Sequence, residues 1–477
     1  MGVAMLTLAD IYRAITGKKV PSAKSPITDA VIDSRLAIPG SLFVAIPGEH
    51  VDGHDFVADA FDRGASVALV ERKMPSELPV VDLRKDISGR KLASAKLPIC
   101  LRVEDSVKAL QDIAQDWRDR FSLRVIGITG SVGKSTTKEL TASVLETSYR
   151  TLKNPGNLNN EIGLPLSLLR LTEAHQCAVL EMGFYVPGEI ALLCRIARPH
   201  VGVITNVSEV HMERAGSMEA IVAGKTELVE NLPPAPDGVA ILNYDEPLVR
   251  AMAEKTPARV MYYGLSSEAD LWASDIEGLG LEGVRFVMHY QDEPVHVRVP
   301  LLGRHSVHTA LRATAVGLAE GLGWQDIVEG LQDTRMQLRL VAVRGPSGSL
   351  ILDDTYNAAP PSVIAALNLL AELDGRRVAV LGDMLELGDF EEKGHRLVGA
   401  RAAEIADEII AVGERARWIA DEALRSGMQT GNVFMLDDSQ AAIHHLQDQV
   451  GKGDVVLVKG SRGMRMDRIV TALEEAA

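Results

Sequence analysis

The sequence predicts an α/β chain of three domains, with boundaries near residues 121 and 338, giving blocks 1–120, 121–337 and 338–477. Three observations point there. At 477 residues the chain is too long for one core at roughly 150 residues per domain. Short apolar runs ending in glycine or aspartate alternate with helical stretches, the pattern of parallel sheets covered by helices. One such run leads directly into Gly130-Ser131-Val132-Gly133-Lys134-Ser135.

The first block carries β-like runs at 41–46 and 66–70 and helical stretches at 55–63 and 107–121. Its residues 74–98, rich in Pro, Lys and Ser, read as a loop insertion. The second block opens with the apolar run 124–129, and similar runs recur at 178–180, 201–205 and 239–242, with a helix expected over 218–230. The third repeats the style at 349–353, 378–382, 409–413 and 455–460, each run ending where ligands bind in open α/β sheets.

Composition narrows the function. Hydrophobic residues make up 46% and charged residues 24%, which is enough apolar side chain for a buried core and too little charge for a disordered chain. A formal charge of -15 repels nucleic-acid phosphates, so no nucleic acid is expected as partner. Cys100, Cys177 and Cys194 have no disulfide or zinc spacing and read as buried reduced thiols. The N-terminal residues lack the apolar stretch of a signal peptide, and no run of 18 apolar residues marks a membrane span. A cytoplasmic protein is expected. No assembly element is evident, so a monomer is expected.

Residues 129–136, Thr129-Gly130-Ser131-Val132-Gly133-Lys134-Ser135-Thr136, lie between a strand and a helix, the setting of a phosphate loop. Its glycines let backbone N–H groups turn toward phosphate oxygens, and the helix N-terminus adds partial positive charge. Lys134 then neutralises the β- and γ-phosphates of ATP, and the Ser135 hydroxyl ligates Mg²⁺. The position five residues before Gly133 is Ile128, so the loop is the shorter form Gly-x-x-Gly-Lys-Ser.

Glu181 ends the next apolar run and is either a second Mg²⁺ ligand or a solvated strand-end acid. Asn206 ends the run after that, and His211 follows at the same sheet edge. Lys225, inside the expected helix 218–230, is either a solvated lysine or a neutral amine that captures CO₂ as a carbamate.

Taken together, several segments resemble the Mur ligases, which build the peptide stem of bacterial peptidoglycan. The likeness rests on residues 129–139, on Asn157-Leu158-Asn159-Asn160-Glu161-Ile162-Gly163-Leu164-Pro165, and on Glu181-Met182-Gly183. It also rests on Ile204-Thr205-Asn206-Val207 with His211, on Gly216-Ser217 ahead of Lys225, and on Asp354-Thr355-Tyr356-Asn357-Ala358. The run 381–388, Asp33-Ser34-Arg35 and the stretch 48–56 fit as well, so the resemblance spans almost the whole chain in order.

The resemblance implies that the first domain binds a UDP-muramoyl substrate, the second binds ATP, and the third is Rossmann-like and closes over the site. Ser34 and Arg35 are then substrate contacts; Ser135, Glu181, His211 and a carbamylated Lys225 surround Mg²⁺; Asn160 lies by the nucleotide or its metal, and Arg339 and Asp354 approach the phosphates and ribose. Ser306 and His308 stand where the family carries asparagines, and Leu338 where it carries glycine. Within the family, the Asn-Asn-Glu-Ile-Gly-Leu-Pro and Tyr-Asn-Ala-x-Pro signatures favour the activity that joins D-alanyl-D-alanine to UDP-N-acetylmuramoyl-tripeptide through an acyl phosphate. Three alternatives are a relative adding the third stem residue, a folylpolyglutamate synthetase-like ligase, and a binding protein switched by ATP. The Asp-Asn-Pro-Arg motif expected of the first is absent, and the 33–56 block argues against the second.

Overall fold

The computed structural model describes residues 5–19, 23–48, 51–85, 92, 95–209, 212–291, 293–333, 340–447 and 449–475. Three sheets follow one another along the chain. The first is parallel throughout, in the order Ala30–Val31, Leu42–Val44, Val67–Val70, Ile99–Arg102, Val80–Asp82. Leu42–Val44 and Val67–Val70 are buried on both faces, as expected of parallel strands covered by helices.

Part of the expected loop at 74–98 is ordered differently. Val80–Asp82 is the edge strand of this sheet, paired with Ile99–Arg102. Two adjacent β-branched valines supply the propensity, but a three-residue strand among prolines and lysines leaves no periodic signal. The stretch expected as a helix over 55–63 starts as a 3₁₀ turn, Gly53–Phe56, and becomes α-helical over Val57–Asp62. Asp52 starts that turn by accepting the His54 N–H.

Helix Ser106–Arg118 begins where the Asp105 carboxylate accepts the Lys108 N–H at 2.8 Å. Its Leu110, Ile113 and Trp117 share one apolar cluster with Leu168, Leu193 and Ile196 of the next block. The Trp117 indole N–H completes the seam on the Leu171 carbonyl at 3.2 Å.

The second sheet has nine strands, ordered Thr151–Lys153, Cys177–Glu181, Arg124–Thr129, Val201–Ile204, Val239–Asn243, Arg259–Gly264, Leu271–Gly278, Val284–Tyr290, Glu293–Val299. Pairing is parallel up to Leu271–Gly278, and the last two strands add an antiparallel ribbon that apolar runs do not announce. Helices Lys134–Glu146, Ser306–Ala319 and Trp324–Leu331 close one face through Leu140, Val144, Leu311, Val316 and Ile327.

The third sheet runs Val341–Arg344, Leu350–Asp354, Asp454–Lys459, Arg376–Gly382, Glu408–Val412, Val433–Leu436, antiparallel only at its first strand. Because the last strand inserts beside Leu350–Asp354, Asp354 and Lys459 come out side by side at the carboxyl edge. Cys100, Cys177 and Cys194 are free and buried, and burial pushes the first two thiols up to about 12. Reduced, unreactive thiols follow. The expected boundary at 338 lies outside the described residues.

Candidate active site

Strand Arg124–Thr129 ends in the buried Thr129, whose hydroxyl donates to the Met182 carbonyl at 2.9 Å. The chain then turns at Gly130, with φ +142°, where an added Cβ would sit 1.9 Å from Thr205 Oγ1. Only glycine fits there. Thr205 and Asn206, ending the neighbouring strand, brace the loop. The Ser131 N–H donates to the Asn206 carbonyl at 2.9 Å and the Val132 N–H to Asn206 Oδ1 at 2.9 Å. Thr205 Oγ1 and Asn206 Nδ2 both donate to the Val132 carbonyl, at 2.7 and 3.0 Å. A second glycine with positive φ, Gly133 at +83°, starts helix Lys134–Glu146. Lys134 Nζ curls back onto the loop, 2.8 Å from the Gly130 carbonyl and 3.1 Å from that of Ser131.

Glu181 is only 1% exposed, so its carboxylate needs donors. Ser135 Oγ donates to Oε2 at 2.5 Å and Asn159 Nδ2 to Oε1 at 2.8 Å. Asn154, fully buried, clasps the backbone, its Oδ1 taking the Glu181 N–H at 2.9 Å and its Nδ2 donating to the Glu181 carbonyl at 3.1 Å. Asn160, expected beside the nucleotide, turns Oδ1 onto the Gly163 N–H at 2.8 Å, at the start of helix Gly163–Leu168, while still lining the cleft. Reading the run Asn157-Leu158-Asn159-Asn160 cannot tell which amide turns inward; here Asn159 is the one that holds the acid.

Lys225 sits in helix Met218–Glu230, whose Ser217 hydroxyl accepts the Ala220 N–H at 3.1 Å. The lysine is 1% exposed, its Nζ lies 4.7 Å from the Phe184 ring centroid, and no carboxylate among the described residues forms an ion pair with it. Burial first, then the charge of Lys134, hold its pKa well below that of a free lysine. Such an amine is unprotonated far more often than a surface lysine, and an unprotonated amine is a nucleophile for CO₂.

Ser131 to Thr136, Asn159, Asn160 and Glu181 line a cleft of about 480 Å³ whose opposite wall comes from the third sheet; Thr129, Gly130 and Lys225 are not among its lining residues. There Lys459, 2% exposed, bonds Asp354 Oδ2 at 2.6 Å and the Asn357 carbonyl at 2.9 Å. Arg462 lies over the Tyr356 ring, 5.8 Å from its centroid. Lys134, Lys459 and Arg462 bring cations to a lining that also carries Glu161, Glu181, Glu189, Asp354 and Glu386, so the cleft offers charge of both signs, suited to an anionic ligand bound together with a cation.

Of the residues singled out from sequence, Ser131 to Thr136, Asn160, Glu181 and Asp354 line this one cleft. Ser34 and Arg35 are not among its lining residues. They form the turn Ser34–Leu36 of the first domain, with Ser34 buried and Arg35 paired to Asp33 at 2.7 Å. Ser306 lines the cleft and His308 does not. His211, Arg339 and Leu338 lie outside the described residues.

Comparison with known proteins covers nearly all of the chain. The family described as "Mur ligase family, catalytic domain" matches residues 26–118, "Mur ligase middle domain" residues 128–317, and "Mur ligase, glutamate ligase domain" residues 334–462. The UDP-N-acetylmuramoyl-tripeptide–D-alanyl-D-alanine ligase of Bacillus subtilis (strain 168) is 36% identical over 448 residues, covering 93% of this chain and 92% of that protein. The crystal structure of MurF from Acinetobacter baumannii superposes with a TM-score of 0.84 at 31% identity, covering 100% of each chain. The MurF ligase of Thermotoga maritima in complex with ADP superposes with a TM-score of 0.78 at 29% identity, covering 94% of this chain and 97% of that one.

Proposed function

The chain belongs to the Mur ligase family, and we propose that it uses ATP to join D-alanyl-D-alanine to UDP-N-acetylmuramoyl-tripeptide in the cytoplasmic stage of peptidoglycan synthesis. The observation that carries this reading is a single cleft in which the phosphate loop and Glu181 face Asp354 and Lys459. Relatives named for that activity, alignable over nearly their whole length, support the choice of substrates.

The obstacle to the reaction is charge. The tripeptide's terminal carboxylate is a poor electrophile, and the triphosphate it must approach is also anionic. Lys134 and the N-terminus of helix Lys134–Glu146 offset that repulsion where it grows during phosphoryl transfer, while the Ser131 and Val132 N–H groups are taken up by Asn206. A carboxylate oxygen attacks the γ-phosphorus and ADP leaves, giving an acyl phosphate. The amine of D-alanyl-D-alanine attacks the acyl carbon, the C–O bond to phosphate breaks, and the amine's proton passes to solvent. Phosphate departs carrying one of the original carboxylate oxygens. Holding both substrates between two walls supplies positioning, and closure of the third domain keeps water from the acyl phosphate.

Mg²⁺ fits the donors present, since Ser135 Oγ and the Glu181 carboxylate are hard oxygen groups already in contact. When bound, it supplies positive charge to the phosphate oxygens. Lys225 as a carbamate adds a second oxygen anion, and its burial and depressed basicity favour that modification. His211 is assigned to the same group, and Asn160, Arg339 and Asp354 to the nucleotide. Ser34 and Arg35, in the first domain and not among the cleft's lining residues, are assigned to the UDP-muramoyl part of the substrate. No described helix is long and apolar enough to cross a membrane, consistent with small-molecule substrates met in solution.

Phosphate release tests the reading. It is expected only when UDP-N-acetylmuramoyl-tripeptide, D-alanyl-D-alanine and Mg-ATP are all present. Release that ignores either peptide substrate, or follows a folate substrate instead, overturns it; binding of ATP with no amide product makes the protein a switch.

A further inference from the structure

We infer that Arg312 is a ligand of the nucleotide's phosphate chain, a counter-charge supplied from behind the loop in addition to Lys134. The inference rests on the ATP reading and extends it to a residue outside the loop.

Arg312 belongs to helix Ser306–Ala319 and is 4% exposed. Its Nε donates to the His308 carbonyl at 2.9 Å and its Nη1 to Thr137 Oγ1 at 2.9 Å, and the guanidinium carbon lies 5.7 Å from the Tyr263 ring centroid. All three neighbours are neutral. No carboxylate among the described residues forms an ion pair with Arg312. Glu246 feels its charge, yet that carboxylate accepts the Val207 N–H at 3.3 Å instead.

A guanidinium bonded through Nε and Nη1 to neutral acceptors, with no carboxylate in contact, is costly to bury, and an apolar side chain of similar length would fill the space at lower cost. The position of the group explains why a cation is there. Thr137 is in the first turn of the loop's helix, and a Cβ placed on Gly133 would lie 3.3 Å from Arg312 Nη1. The guanidinium therefore abuts the loop that receives phosphate. Thr309, one turn earlier on the same helix, lines the cleft. His308, on the same helical face as Arg312, has a buried Nδ1 without a partner, a second group left incomplete by the protein alone. A planar fork of donors matches phosphate oxygens.

The test is direct binding of Mg-ATP, Mg-ADP and adenosine to wild type, R312M, R312K and T137V. R312M is expected to raise the Kd of both nucleotides by about 10- to 100-fold and to leave adenosine unchanged. R312K, which keeps the charge but not the fork, loses about fivefold for the nucleotides alone. T137V removes the neutral acceptor and stays within about threefold. Unchanged nucleotide affinity in R312M overturns the inference, as does an equal loss for adenosine, which would make Arg312 a base contact. An equal loss in T137V assigns Arg312 to the scaffold and overturns it too. If R312M does not fold, R312K decides: nucleotide affinity equal to wild type, or a matching loss for adenosine, overturns it. A wild-type protein that binds neither nucleotide sinks the proposed function itself; wild type binding both while R312M binds equally well sinks only this inference.

Discussion

Ser135 Oγ donates a 2.5 Å hydrogen bond to Oε2 of Glu181, tying the first turn of the loop's helix to the end of the adjacent strand. Sheet register makes the contact. Ile128 pairs with Glu181 across the two strands, so the acid emerges level with the loop. Two oxygen donors are thus held together by the fold, and a cation bound there need not order them.

Lys134→Ala removes the cation and leaves its backbone turn intact. Because Lys134 Nζ bonds the carbonyls of Gly130 and Ser131 within its own loop, the substitution is expected to disturb the loop and not the core. Ligation is expected to fall by at least about 10³-fold, roughly 4 kcal/mol of transition-state stabilisation, with the melting temperature nearly unchanged. Steady-state kinetics beside a thermal melt checks it, and near-normal turnover rejects the role of the lysine.

Glu181→Gln keeps the shape but removes the charge. Half-maximal activity should then need at least about tenfold more Mg²⁺, with kcat reduced as well. A magnesium titration of the variant that overlays the wild-type curve assigns Glu181 a purely structural role.

Lys225→Ala is expected to lose activity that small carboxylates partly restore, because an anion and not a cation is missing. Full activity without any added carboxylate would contradict the carbamate. So would wild-type enzyme that keeps full activity after exhaustive removal of CO₂ and bicarbonate.

His200 predicts an acid limb of stability. Its Nδ1 accepts the Val125 N–H at 3.2 Å, which requires a neutral ring, and burial followed by the charges of Arg124 and Arg118 lowers its pKa from 6.5 to about 4. The folded state therefore binds fewer protons than the unfolded chain between those values. Its contribution is complete above pH 6.5, shrinks as pH falls, and is gone below about 4. Discounted for partial exposure, the loss is on the order of 2 kcal/mol. Denaturant melts of wild type and His200→Gln across this window should converge toward acid; parallel curves would contradict it.

Residue order shows the loop plainly, because glycine, lysine and serine at fixed spacing between an apolar run and a helix have few other uses. Expected helix 218–230 coincides with Met218–Glu230, its start marked by Ser217. Apolar runs mark most buried parallel strands for the same reason: both faces are covered, so every side chain is apolar. Val80–Asp82 and the ribbon strand Glu293–Val299 escape that signal, the first being short and the second mostly exposed, with only Val297 and Val299 buried. Within the site, the inward turn of Asn159 and the reach of Arg312 to Thr137 depend on side-chain direction across 22 and 175 residues of separation, which local pattern does not encode.

Transfer of the γ-phosphoryl group to a carboxylate leaves an isotopic mark. With ¹⁸O in the terminal carboxylate of UDP-N-acetylmuramoyl-tripeptide, one labelled oxygen should appear in the released phosphate for each amide bond formed with D-alanyl-D-alanine. Phosphate that carries no label while amide accumulates would contradict the acyl phosphate and, with it, the catalytic role assigned to the cleft.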